Sequence, residues 1–132
     1  MKTKIFALFI FSVSLYLNSC NHNDDPEVIP LATATPKAQS IVTGTTTTIA
    51  LTSSMPNTSF SWTVVQSGVT GASSGSGNTI KQILSVAGAV AGKATYSITP
   101  STKETFGNDV SVIITVNPKV VVQSGVKIVD RK

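Results

Sequence analysis

The chain has 132 residues, and once a 19-residue secretion signal is set aside 113 remain, enough for one domain and too few for two. Those 113 hold 15 Val, 9 Ile and 17 Thr against three Leu and two Glu, so stiff β-branched side chains stand where helix-favouring straight chains would be, which argues against all-α and doubly wound α/β folds. Eight basic and six acidic side chains give the same stretch a net charge of +2, and the scattered lysines form no nucleic-acid-binding stripe.

Lys2 and Lys4 open the chain, and residues 5–17 form an apolar run of 13, the length of a signal-peptide core and short for a bilayer span. The run closes on Leu17-Asn18-Ser19-Cys20, which resembles the lipobox of bacterial lipoproteins. The resemblance implies that Cys20 becomes the first mature residue and carries acyl chains, an anchor in which each buried methylene contributes about 0.8 kcal/mol. The alternative is an ordinary secreted protein whose single Cys is incidental. Beyond it, Asp24 and Asp25 are similar to the acidic export signal of surface lipoproteins in Bacteroidetes-type bacteria, which implies the outer leaflet of the outer membrane. The plainer reading is that Asp24, Asp25 and Glu27 keep a tether soluble. His22 belongs to that tether too, since it has no neighbours with which to hold a metal. From residue 20 to residue 30 the tether reaches at most about 33 Å.

The body, residues 31–118, reads as short strands. Residues 46–52 alternate, with Thr47, Ile49 and Leu51 on one face; turn chemistry runs from Ser53 to Asn57; then Phe60, Trp62 and Val64 alternate with Ser59, Ser61 and Thr63. Residues 93–99 point Ala94, Tyr96 and Ile98 inward, and Val110, Val112, Ile114 and Val116 repeat the scheme before Asn117-Pro118 ends it. Weaker candidates are residues 38–43 and 80–84, the latter with Ile80, Gln82 and Leu84 on a shared face. Six or seven such strands predict an all-β, antiparallel sandwich of the immunoglobulin-like kind, with Trp62, Phe60 and Tyr96 in a core that no disulfide can reinforce.

Phe60-Ser61-Trp62, a Gly-rich stretch, residues 80–84, Ala94-Thr95-Tyr96-Ser97-Ile98-Thr99-Pro100 and Val112-Ile113-Ile114-Thr115-Val116-Asn117-Pro118 together resemble the PKD-like branch of immunoglobulin-like sandwiches in bacterial surface proteins. The resemblance implies a non-catalytic spacer or adhesive module. The chain departs from the usual pattern after Trp62, where an Asp-Phe-Gly-Asp-Gly-type turn is replaced by Thr63-Val64-Val65-Gln66-Ser67-Gly68, so no ion or ligand role carries over from that turn. The hexamer at residues 64–69 recurs at residues 121–126; both copies read as strand-to-turn transitions in which the Gly takes a positive φ. Residues 119–132 form either a terminal hairpin or the first strand of a further domain.

Function is expected in two loops. Residues 66–78, rich in Gly and Ser, form a flexible loop whose contact candidates are Ser67, Gly68, Ser74 and Gly75; Gly75-Ser76-Gly77 lacks the following helix that a phosphate cradle needs. Residues 101–108 offer Lys103 and Phe106, the latter expected to pack beneath its own loop unless it is a contact. Asn108 and Asp109 supply too few oxygens for calcium, no cofactor or metal is expected, and no nucleophile and base pair can be named, leaving Glu104 and Asp109 as the only acids to test for catalysis. The expectation is therefore a membrane-anchored module that acts as a spacer or binds an envelope protein. The alternatives are a periplasm-facing structural or inhibitory lipoprotein and a glycan-binding accessory module.

Overall fold

The computed structural model describes residues 26–120, and every regular element among them is a strand. In chain order these are β1 (Ala32–Thr35), β2 (Ala38–Val42), β3 (Thr45–Thr46), β4 (Ile49–Ser53), β5 (Ser59–Ser67), β6 (Gly75–Ser76), β7 (Thr79–Ile80), β8 (Ile83–Leu84), β9 (Gly92–Ser101) and β10 (Val110–Asn117). One layer consists of β1-β4-β7 with the β3-β8 pair; the other is a five-stranded sheet in the order β2-β10-β9-β5-β6. This is the expected immunoglobulin-like sandwich. The chain changes layers early: β1 runs antiparallel to β4 in the first sheet, and two residues later β2 runs parallel to β10 in the second.

The alternation in the sequence becomes the core. Ile49, Leu51, Ile80 and Leu84 from one layer meet Phe60, Trp62, Ala94, Tyr96, Ile98, Val112, Ile114 and Val116 from the other, and Tyr96 is fully buried with Trp62 only 7% exposed. The facing positions are hydroxyls: Ser61 and Thr63 on β5, Thr95, Ser97 and Thr99 on β9, Ser111 and Thr115 on β10. Lining the solvent side with Ser and Thr preserves strand preference without exposing apolar area.

Two expected strands are each divided. Residues 46–52 split into β3 and β4, and residues 80–84 into β7 and β8, because Thr47 takes over the ladder with its side chain. The Thr47 N–H donates to the Gln82 carbonyl at 2.9 Å, its hydroxyl donates to the Ile80 carbonyl at 3.3 Å, and the same hydroxyl accepts from the Gln82 N–H at 3.1 Å. Thr47 is fully buried, so its hydroxyl had to find partners inside the protein. Two short strands were not expected. β1 alternates Ala with Thr, too small a side chain to register as a hydrophobic face, and β6 is a two-residue segment within the Gly-rich stretch.

Strand directions define two poles. At the proximal pole lie residues 26–31, the 54–58 turn, residues 76–78 and the 102–109 loop; Leu31 and Ser54 exchange hydrogen bonds there, and Ser59 pairs with Ser101. At the distal pole the Thr43 N–H donates to the Asn117 carbonyl, Ser67 pairs with Lys93, and Gly92 with Val116. Ten-residue β9 connects the two, a span of about 33 Å at about 3.3 Å per residue.

Candidate functional site

The residues expected to make contacts fall in three separate places. Ser67 and Gly68 lie at the distal end of β5, where Gly68 turns the chain with φ +66°, as expected for the first copy of the repeated hexamer; the second copy lies outside the described residues. Ser74 and Gly75 lie beside the middle of β5, with Gly75 opposite Trp62. Lys103 and Phe106 lie at the proximal pole. Cys20, Asp24, Asp25 and His22 fall outside the described residues, as does the expected terminal hairpin beyond residue 120.

The Gly-rich segment is irregular over most of its length, as expected, but it is held against the body. The Trp62 indole N–H donates to the Ser73 carbonyl at 3.2 Å. The Gln82 side chain holds the same residue from the other side, accepting from the Ser73 N–H at 3.0 Å and donating to its carbonyl at 2.8 Å and hydroxyl at 3.0 Å. The Gln82 amide oxygen also accepts from the Tyr96 hydroxyl at 2.7 Å, joining the segment to the core. Gly75 is required by space: a Cβ there would lie 2.9 Å from Cζ2 of Trp62. Gln82 was missed as a tie because sequence reasoning gave it only a face; a Gln between Ile80 and Leu84 on a buried face was the available signal.

At the proximal pole, the 54–58 turn and the 102–109 loop enclose an open cleft of about 630 Å³ lined by Met55, Pro56, Asn57, Ser59, Thr102, Lys103 and Glu104. Asn57 turns the chain at φ 57°, one of the few non-Gly residues that tolerate this region. Sequence reasoning read Met55, Pro56 and Asn57 as turn residues alone; their meeting with Lys103 depends on the Ser59–Ser101 register, which the local pattern does not encode. Phe106 does not pack beneath its loop as expected: it is 74% exposed. The loop instead packs through Gly107, where a Cβ would clash with the Pro30 carbonyl and with Pro100, so the backbone closes where the ring was expected.

Asp109 sits at the start of β10. It accepts from the Thr99 hydroxyl at 2.5 Å and the Ser97 hydroxyl at 2.9 Å, and these bonds, Thr99 first, hold its carboxyl below the usual carboxylate range. A carboxylate stabilised in that way is a poor base for the hydroxyls that hold it. The arrangement can position the β9–β10 connection; it does not assemble a nucleophile.

A PKD-like domain model matches residues 39–120, which takes in the strands β3 to β10 and all of β2 but its first residue. The chain belongs to the PKD-like family. Domains of this immunoglobulin-like type are typically non-enzymatic modules. No curated protein matches the chain in sequence. In this PKD-like domain the strand that carries Trp62 continues through Thr63 to Ser67 as part of β5.

Proposed function

We propose that the protein is a lipid-anchored, non-catalytic envelope module, tethered through acyl chains on Cys20 to the bacterial outer membrane, displayed at the cell surface, and acting as a spacer that binds protein partners. The observation that carries this reading is the direction of the chain through the sandwich. It enters at the proximal pole before β1 and leaves at the distal pole after β10, about 33 Å away at about 3.3 Å per residue. A body entered at one end and left at the other keeps the segments on its two sides apart. The PKD-like fold supports the same reading, since domains of this kind present loops and sheet edges rather than enclosed chemistry. A glycan platform would need several exposed rings, whereas Phe60, Trp62 and Tyr96 are buried.

Mass spectrometry of the mature N-terminus, paired with Cys20→Ala, tests the anchor: fatty acid on Cys20 and its loss, with release from the membrane, in the variant are expected. A free thiol at Cys20 would refute the anchor. Protease treatment of intact cells tests display, and resistance there, with cleavage only after the outer membrane is opened, would place the module on the periplasmic face.

A further inference from the structure

The described residues carry exposed apolar side chains at both poles, and those at the proximal pole lie where the tether begins. Val28 is 69% exposed, Leu31 59% and Phe106 74%. Leu31 and Phe106 flank a direct backbone approach, because the clash a Cβ on Gly107 would make with the Pro30 carbonyl puts residues 30 and 107 against each other. Pro30 is buried, so the tether is fixed to the body at this point.

We propose that this pole, through Leu31, Phe106 and Val28, rests on the lipid surface to which Cys20 is anchored, leaving the distal pole to face outward. The inference builds on the anchoring reading above and adds an orientation to it. The ten residues from Asn21 to Pro30 reach at most about 33 Å, so the proximal pole is held within that distance of the bilayer at a high effective concentration. The distal pole lies a further body length away, and bringing it to the membrane would require the tether to run back along the whole domain. Charge selects the kind of contact. Lys103 stands beside Glu104, Asp109 closes the same loop and Glu27 lies on the tether, so the pole has no cationic excess for anionic headgroups and the contact is apolar, made with the acyl region. The exposed ring is the side chain best matched to an interface that is apolar on one side and wet on the other.

The test imposes the anchor chemically, so its outcome is separate from whether cells acylate Cys20. The mature chain from Cys20 onward is coupled through that thiol to phosphatidylcholine vesicles containing a maleimide lipid, with and without brominated acyl chains. Phe106→Trp, Leu31→Trp and Val90→Trp are each read against the unsubstituted chain, whose Trp62 is buried. Loss of fluorescence to brominated lipid at positions 106 and 31, and none at position 90 on the distal 85–91 loop, is the expected result. Equal loss at all three positions, loss at none, or loss at position 90 alone would overturn the orientation. All three positions are exposed, so the substitutions leave the fold in place.

Discussion

Thr47 offers the most direct test of how the ladders are joined, because a single hydroxyl links four short strands into two. Thr47→Val keeps the size and branching of the side chain and removes only the hydroxyl. The Gln82 N–H then loses its acceptor at 3.1 Å and the Ile80 carbonyl a donor at 3.3 Å. Each buried group left without a partner costs about 1–3 kcal/mol, and the added methyl recovers only part, so a net loss of about 2–4 kcal/mol is expected. Thr47→Ser does the opposite: it keeps the hydroxyl and removes a methyl from a fully buried site, at a cost of about 1 kcal/mol. Urea titration of the mature chain, tracked by the emission of buried Trp62, measures both. With a denaturant slope of about 1–3 kcal/mol per molar, a loss of about 3 kcal/mol lowers the midpoint by roughly 1–3 M. A Val variant as stable as the Ser variant, or more so, would refute the claim that the hydroxyl replaces the missing ladder.

Gly75→Ala brings a Cβ to 2.9 Å from the Trp62 ring and should destabilise by about 1–3 kcal/mol while altering the near-ultraviolet Trp signal; the exposed neighbour Ser74→Ala should do neither. Tyr96→Phe removes the 2.7 Å bond to Gln82 and should cost about 1 kcal/mol. Burial raises the Tyr96 hydroxyl pKa above its ordinary value, so its contribution is complete below about pH 10 and is lost as the pH climbs through the folded value; that alkaline decline should flatten in the Phe variant. Asp109 has the opposite sign. The Thr99 and Ser97 hydroxyls lower its folded pKa, so its contribution is present above about pH 4 and disappears as the pH falls through the folded value. Asp109→Asn should flatten the acid limb of a stability profile, and an unchanged limb would show that the two hydroxyls do not bind the carboxylate preferentially.

Alternation over long runs was legible: the inward faces of β5, β9 and β10 come from period two, and the rings at Phe60, Trp62 and Tyr96 lie where that period puts them. What escaped was whatever depends on register between distant segments. Thr47 interrupts a ladder by bonding to residues 33 and 35 positions away, and no window of local sequence contains both ends. The Gly-rich stretch read as a loop because Gly and Ser carry no periodic signal, yet its order comes from Trp62 and Gln82, side chains belonging to other elements. Phe106 illustrates the converse error. An aromatic in a loop is ordinarily drawn under it, but here Gly107 brings the backbone so close to Pro30 that the loop seals itself without the ring.

The distribution of leftover apolar surface bears on function. Of the large hydrophobic side chains left exposed among the described residues, Val65, Ile83 and Ile113 lie along strands, Val28, Leu31 and Phe106 lie at the proximal pole, and Val42 at the end of β2, Val90 and Val120 lie at the distal one. The broad outer face of the five-stranded sheet is largely hydroxyl-bearing, and Ser and Thr there satisfy strand preference at little cost in exposed apolar area. Three of the exposed apolar side chains lie next to the tether and three where β10 leaves the sandwich; under the function proposed above, those ends would meet the membrane and a protein partner. Substituting Val90 with Ser should therefore weaken capture of an envelope partner without changing stability, while Val65→Ser on the sheet face should leave capture intact; equal effects from both would remove the distal pole as the binding end.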